Sequence, residues 1–482
     1  MVTQVRSIKS LLLLGCVTAL SACASIPDLG ARPQRIEATA LAADQAFAAP
    51  RGDWPAADWW RSFGDPALDS LIDEALAGSP DVAQAGARLR AAEAAAQQAG
   101  AALLPSLSAD ASIYGNKQSK NLGIPPQFVP SGINDVGRVA GNLSFDLDIW
   151  GRNRAALKAA TSEADAARVD VAQARLTLTA AVAAAYADLA LYYEERDVAV
   201  DALAVRQTTA DLTNQRVIQG LDTRGELRQA EARVPAAKAD IAALDEAIAL
   251  TRNRLAALLG KGPDRGLSIE RPRFATPTLG LPDRLSLDLV GRRPDIVSAR
   301  LRSEAMASRI KVARADFYPN INLTAVAGLN SLGLDNLFKG PSSFANFGPA
   351  LTLPIFEGGR LQGAYRGARA QYDEAVAAYD ATLVNALHEI ADATASLRAL
   401  DERLAEQRDA LTKSEEASAI ARLRYKGGLA NQLTVLTTDD TMLANRRVVA
   451  DLEGRRRALN ITLIRALGGG FADPAPSLAG TR

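Results

Sequence analysis

Between Gly151 and Gly220 the chain runs for 68 residues without a glycine or a proline, and between Gly367 and Gly427 it does so for 59. At about 1.5 Å per residue these runs make helices of roughly 100 and 90 Å, several times what an ordinary globular domain uses. Apolar residues recur along them at spacings of three and four. They are Val171, Ala174, Leu178, Ala181, Ala185 and Leu189 in the first, and Leu383, Leu387, Ile390, Leu397, Leu400 and Leu404 in the second. That is a coiled-coil seam built on small residues. A short glycine-bearing break follows each run, and then a partner helix. One covers about 222–259, with a kink or bulge expected at Pro235, and the other about 429–467, which contains Gly454. Each pair makes a long antiparallel helical hairpin.

The hairpins belong to a duplicated plan. Leu104-Pro105-Ser106-Leu107 is echoed 214 residues later by Tyr318-Pro319-Asn320-Ile321. Trp150-Gly151-Arg152 is echoed by Gly358-Gly359-Arg360, Gln219-Gly220-Leu221 by Gly427-Gly428-Leu429, and Leu258-Leu259-Gly260 by Ala466-Leu467-Gly468, each 208 residues on. Four landmarks in one order at nearly one spacing mark an internal repeat.

Ahead of each hairpin the period changes from 3.6 to 2. Val139, Gly141, Leu143, Phe145, Leu147 and Ile149 alternate with polar Asn142, Ser144, Asp146 and Asp148. Ile321, Leu323, Ala325, Ala327 and Leu329 alternate with Asn320, Asn322, Thr324 and Asn330, and weaker alternation runs over 107–114 and 347–356. Each repeat thus offers two strands with one greasy and one wet face, joined by a polar loop near 115–137 or 331–346. Periodicity alone fits equally a membrane barrel or a water-soluble sheet with helices on one face. Two strand pairs cannot close by themselves, and an open edge finds no hydrogen-bond partner in hydrocarbon. A membrane reading therefore requires several chains to share one barrel.

The N-terminus is an address. Arg6 and Lys9 precede an apolar run from Leu11 to Ala22, the layout of a secretory signal. Leu20-Ser21-Ala22-Cys23 resembles the bacterial lipobox, so residues 1–22 would be removed and Cys23 would carry lipid as the first mature residue. Ala24, rather than an aspartate, favours the outer membrane by resemblance to enteric lipoproteins. No later stretch is expected to reach the roughly 18 apolar residues of a transmembrane helix.

Composition removes other classes. With 55 basic and 55 acidic side chains and 5% aromatics, the chain does not suit counterion release or base stacking on nucleic acid. Its two cysteines, Cys16 and Cys23, leave none for a disulfide or metal site in the body. The single histidine, His388, has only Glu389 and Asp392 within a turn, so neither a metal site nor a serine–histidine–acid arrangement can be assembled. No catalysis, cofactor or metal is expected.

Short motifs now add up to a family. They are Trp59-Trp60 with Phe63-Gly64-Asp65-Pro66, Asp148-Ile149-Trp150-Gly151-Arg152, Arg292-Arg293-Pro294-Asp295-Ile296, Pro354-Ile355-Phe356-Glu357-Gly358-Gly359-Arg360, Arg424-Tyr425-Lys426-Gly427-Gly428, and Leu467-Gly468-Gly469-Gly470-Phe471. In this order, from about Trp54 to Phe471, the sequence resembles the outer-membrane factors of tripartite efflux, similar to TolC and OprM and most closely the NodT-type lipoproteins. Phe471 stands where the family usually has tryptophan. The resemblance implies a mainly α fold with membrane β: a TolC-like homotrimeric duct whose twelve-stranded outer-membrane barrel takes four strands per chain and continues as a periplasmic barrel of helices. It implies passive conduction of drugs or other small molecules from an inner-membrane pump, of RND type, through a periplasmic adaptor (membrane fusion protein). A duct for type I protein secretion is the alternative on the same fold. A lipid-anchored periplasmic scaffold is the alternative of a different class, and the paired amphipathic strands speak against it.

The expected layout follows. Residues 1–22 are the signal and 23–103 an equatorial segment with the first helices. Residues 104–260 are repeat 1, with strands about 105–115 and 138–150 and a hairpin about 152–259. Residues 261–317 connect, 318–470 are repeat 2, with strands about 319–330 and 346–356 and a hairpin about 360–467, and 471–482 form a tail.

Three motifs read as backbone devices: Gly151, Gly358 and Gly359 as bends between strand and helix, Gly468 to Gly470 as a helix end, and Arg293-Pro294-Asp295 as a helix start. An anion site at the last is the functional alternative. The residues expected to act are the hairpin turns, which must both close the duct and meet the adaptor. These are Gln219, Gly220, Leu221, Asp222, Thr223 and Arg224 in one repeat, and Arg424, Tyr425, Lys426, Gly427, Gly428, Leu429, Ala430 and Asn431 in the other. Arg424 and Tyr425 are expected to hold the turns together at rest. Relatives similar to OprM place an acid where this chain has Ala430. Asp222, or Asp439 and Asp440 further along the helix, are the candidates to replace it.

Overall fold

A computed structural model describes residues 25–473 apart from 44, 48, 49, 122, 274, 276, 278, 283 and 284. Cys23, the apolar leader and residues 474–482 lie outside the described residues. In chain order the elements are α1 (Pro66–Gly78), α2 (Pro80–Ala101), β1 (Ser106–Asn116), β2 (Asn134–Asp146), α3 (Arg152–Ile218) and α4 (Arg224–Leu258). Then come α5 (Asp264–Leu267), α6 (Leu285–Arg292), α7 (Pro294–Ala315), β3 (Asn320–Leu332), β4 (Ser343–Thr352), α8 (Arg360–Lys426) and α9 (Gln432–Ala466). The duplication is visible in helix length: α3 and α8 have 67 residues each, α4 and α9 have 35. Pro235 lies inside α4, which continues through it as one helix. The chain divides into two compact units.

The first unit comprises the segment up to Arg35 with Arg88–Ala167 and Ala299–Tyr379. Its centre is an antiparallel sheet in the order β1-β2-β3-β4, so among the described residues the outer edges of β1 and β4 are unpaired. The register puts Leu107 opposite Leu143, Leu143 opposite Ala325, and Ala325 opposite Phe347, one apolar file across all four strands. The other face carries a polar ladder. Asn142 Nδ2 donates to Asp110 Oδ1 at 2.6 Å, Asn322 Nδ2 to Ser144 Oγ at 2.8 Å, and Asn320 Nδ2 to Asp146 Oδ2 at 3.0 Å.

Two strands end earlier than alternation suggests. β2 stops at Asp146, not near 150, because Asp148 takes a left-handed φ of 45° and caps α3, accepting from Asn153 N at 2.8 Å and Arg154 N at 3.0 Å. Trp150 then leaves the strand path, stacks on Tyr318 at 4.6 Å and donates from Nε1 to Pro319 O at 2.8 Å. β4 stops at Thr352, not near 356, since Pro354 has no N–H for a ladder, and Gly358 and Gly359 turn the chain with φ of 56° and 88°.

The second unit comprises Ile36–Ala87, Arg168–Ser298 and the chain from Asp380 on. Trp59, Phe63, Leu68 and Ile72 pack with Tyr186, Leu189, Leu255, Leu259 and Ile464. The motif aspartate Asp65 is buried there and fully used: Oδ1 accepts from Ala67 N at 3.0 Å as the cap of α1, and Oδ2 from Tyr186 Oη and Arg273 N, both at 2.8 Å. Asp65→Ala would strand three donors and is expected to cost about 3 kcal/mol or more of stability. An unchanged thermal midpoint would contradict that role.

Arg293 is likewise saturated. Its guanidinium meets Asp295 at 2.6 Å, Glu389 at 2.9 Å and Ala466 O at 3.1 Å, tying the start of α7 to the end of α9. Two carboxylates occupy the place an anion would take, so the alternative of an anion site fails and the helix-start reading holds.

Gly454 on α9 lets α3 approach closely, because a Cβ there would lie 2.8 Å from Leu191 Cδ1. Gly454→Val is expected to cost about 1–3 kcal/mol through overpacking despite better helix propensity. Chemical denaturation of the purified protein checks it, and a stability equal to or above that of the unaltered chain would contradict it. One expectation is corrected: α3 does contain an 18-residue window apolar enough to cross a membrane by composition, and 61% of it is buried inside the protein. Alanines and leucines of a coiled-coil core pass the same compositional test as a spanning helix.

Candidate functional site at the hairpin turns

The two turns are built alike. Gly220 and Gly428 have φ of 74° and 75°, a conformation that glycine adopts without a Cβ penalty. Gly220 N donates to Val217 O at 3.0 Å and Leu221 N to Arg216 O at 2.8 Å. Gly428 N donates to Tyr425 O at 3.0 Å and Leu429 N to Arg424 O at 2.8 Å. This closure satisfies the last carbonyls of α3 and α8. Each returning helix is then capped. Thr223 and Glu226 form a capping box, with Thr223 N donating to Glu226 Oε2 at 2.6 Å, and Asn431 Oδ1 accepts from Thr434 N at 3.0 Å. In this frame Arg216 corresponds to Arg424, and Asp222 to Ala430.

That asymmetry gives the site its chemistry. Arg216 binds the Asp222 carboxylate with two nitrogens, Nε at 3.0 Å and Nη2 at 3.3 Å. Its third nitrogen reaches across to the other turn, Nη1 donating to Tyr425 O at 3.3 Å, and its guanidinium lies 4.4 Å from the Tyr425 ring centroid. Tyr425 is 0% exposed, and its hydroxyl donates to Asp222 Oδ2. Leu212, Ala421, Ala430 and Val435 surround the ring.

Charges in this cluster are fixed. Burial disfavours the Asp222 carboxylate, but hydrogen bonds from Arg216 and Tyr425 outweigh it and hold its pKa below the usual aspartate range. Burial, and then the neighbouring carboxylate, push the Tyr425 phenol up to about 12. At neutral pH the cluster is therefore carboxylate, guanidinium and neutral phenol.

Behind the turn lies a second polar layer. Buried Gln432 donates from Nε2 to Thr213 Oγ1 and to Glu226 O, both at 3.1 Å. Buried Asp439 accepts from Ser418 Oγ at 2.6 Å and Arg422 Nε at 3.0 Å, and Asp440 pairs with Arg233 at 2.5 Å.

Of the residues singled out by sequence, the structure brings Asp222, Tyr425 and Ala430 together around the two glycine turns. Arg224, Arg424, Lys426 and Gly427 are exposed at the turns and stand apart from the cluster. Asp222, Asp439 and Asp440 are each paired with an arginine. Arg216, Thr213 and Gln432 were not anticipated. The 208-residue repeat offset that pairs Arg216 with Arg424 was the available signal for the first. Among the described residues no group of three or more His, Cys, Asp or Glu side chains is placed to hold a metal. What the arrangement can do is hold the two helical hairpins to each other with a few polar contacts.

The sequence model of the outer membrane efflux protein family matches residues 71–261 and 285–469. The chain belongs to this family. It is 31% identical over 484 residues to the multidrug resistance outer membrane protein MdtP of Escherichia coli O6:H1, covering 97% of this chain and 98% of MdtP. It is 40% identical over 352 residues to the fusaric acid resistance protein FusA of Burkholderia cepacia, covering 71% of this chain and 66% of FusA. Among solved structures, the outer membrane protein VceC from Vibrio cholerae superposes with a TM-score of 0.83 at 42% identity, over 87% of this chain and 100% of VceC. The fold is that of the TolC-like outer-membrane channels, and the chain is an outer-membrane efflux channel protein. In that family frame, the amphipathic sheet and the twin helical hairpins are the parts of a conduit.

Proposed function

We propose that three copies of this chain close one twelve-stranded barrel in the outer membrane, and that their hairpins form a periplasmic duct shut at rest by the Arg216–Asp222–Tyr425 cluster. The observation that carries this is the sheet: one apolar and one polar face, with unpaired outer edges on β1 and β4. Such edges are tolerable in lipid only if β4 of one copy pairs with β1 of the next. The described parts of the N-terminal segment, of the 260–290 connection and of the C-terminus form an equatorial belt, and the exposed turn residues meet a periplasmic adaptor that couples the duct to an inner-membrane pump of RND type. Transport through the duct is passive, its energy supplied by the inner-membrane pump. MdtP and FusA are named for resistance to drugs and to fusaric acid, which favours drugs or other small organic molecules as cargo. An acyl chain on Cys23 adds a second hold on the membrane.

Deleting the gene is expected to raise sensitivity to small-molecule drugs and leave secreted proteins unchanged. Lost protein export with unchanged drug sensitivity would assign the duct to type I secretion instead. Cys23→Ser is expected to abolish labelling by radioactive palmitate, and labelling that persists would contradict the anchor.

A further inference from the structure

Within the first unit, where β2 and β4 lead into α3 and α8 and α7 leads into β3, lies an open cavity of about 260 Å³. Asp146 at the end of β2, Asn320 at the start of β3 and Thr352 at the end of β4 line its sheet side. Asn320 lies opposite Thr352 and Asp146 opposite Asn322, so this is the end of the polar face. Trp150 and Tyr318 line the same cavity, their rings stacked at 4.6 Å with 19° between the planes. Tyr318 covers one face of the indole, and Trp150 is still 50% exposed. Its own hydrogen bond to Pro319 O at 2.8 Å holds it in place, so the cavity has a fixed aromatic wall.

Of the six charged side chains that line the cavity, five are matched. Asp316 pairs with Arg152 at 2.7 Å, Glu357 with Arg360 at 2.7 Å, and Asp148 with Arg154 at 3.1 Å. Asp146 is the sixth. Its oxygens accept from neutral donors, Oδ1 from Asp148 N at 2.9 Å and Oδ2 from Asn320 Nδ2 at 3.0 Å, and among the described residues no cation pairs with it. A carboxylate accepts about four hydrogen bonds, so roughly half of its capacity is open. One uncompensated negative charge beside a fixed aromatic surface is what an organic cation needs, since charge and ring then attract it together. We propose that this cavity is a binding site for small organic cations, with Asp146 as the counter-ion and the Trp150–Tyr318 stack as the aromatic wall. A hydrated alkali ion offers no apolar surface to the rings, so the site favours organic over inorganic cations. That the cavity opens on the conduit rests on the channel reading above; the binding does not.

The test uses the full-length protein in a non-ionic detergent and benzyltrimethylammonium, a ring bearing a fixed positive charge, with phenylacetate as the anionic comparison. Titration calorimetry should show saturable binding of the cation and none of the anion. Asp146→Asn keeps an acceptor for Asp148 N and should weaken binding about tenfold, and Trp150→Leu should weaken it about threefold. Asp110→Asn removes a carboxylate from the same face that Arg138 already pairs at 3.7 Å, and should bind as the unaltered chain does. Because Asp146→Asn is nearly isosteric, a loss there with an unchanged thermal midpoint reports binding and not folding. No saturable binding of the cation, equal binding of phenylacetate, undiminished binding by Asp146→Asn, or an equal loss in Asp110→Asn overturns the site. Binding that depends on Asp146, in a protein that conducts in no bilayer, would support the site and count against the channel.

Discussion

Replacing Asp222 by alanine is expected to leave the hairpin turns open. The carboxylate is the one anion in the cluster, and it receives both the Arg216 fork and the Tyr425 hydroxyl. Without it, the Arg216 guanidinium stays in a largely buried position with no counter-charge, its side chain only 16% exposed. Breaking one partner of such a pair costs on the order of 3 kcal/mol, and that strain is relieved when the turns part and water reaches the arginine. A change of this size shifts a closed–open equilibrium roughly a hundredfold. Single-channel conductance and uptake of large antibiotics should both rise. Tyr425→Phe removes one hydrogen bond of about 1 kcal/mol and should give a smaller opening, roughly fivefold. Reversal of Arg424, which is exposed and outside the cluster, should matter less than either. Unchanged conductance in Asp222→Ala would remove the cluster from the gate.

The second large expectation is weak ion selectivity at the turns. The resemblance to OprM-like channels implies an acid at the position of Ala430, and the acids Asp222, Asp439 and Asp440 are all paired with arginines. With these three carboxylates paired, and Glu226 accepting from the Thr223 backbone and hydroxyl, the duct should pass potassium and chloride with little preference and resist block by divalent cations. Ala430→Asp should reverse this, each copy adding a fixed charge worth on the order of 1 kcal/mol to a passing cation, so that selectivity rises several-fold. Strong, divalent-blockable cation selectivity in the unaltered protein would contradict the account.

The parts that were legible in the sequence are those with a long period. The glycine-free runs set the positions of α3 and α8, and the alternation over 139–149 and 320–330 located the central strands, because each rests on many residues acting together. Local chemistry was harder to read. The end of β2 depends on one aspartate taking a left-handed conformation to cap a helix, and nothing in a polar–apolar pattern distinguishes Asp148 from a strand residue. The turn cluster shows the same limit. Tyr425 and Asp222 could be named from the turns they flank, but their partnership could not, since 203 residues separate them. Arg216, in the sequence, is one basic residue near the end of a long helix. Only when the two hairpins are packed does it become the shared cation, and only then is it clear that Asp222 is occupied rather than open to the lumen.

The central claim is that identical chains share a conducting barrel, and the most direct test is to extract the outer-membrane fraction in detergent, measure the mass of the purified particle and record it in a planar bilayer. A trimer that conducts, with Asp222→Ala conducting more, is the expected result. A monomer that is released from the membrane by Cys23→Ser and shows no conductance would mean that the amphipathic sheet serves a periplasmic scaffold and not a pore.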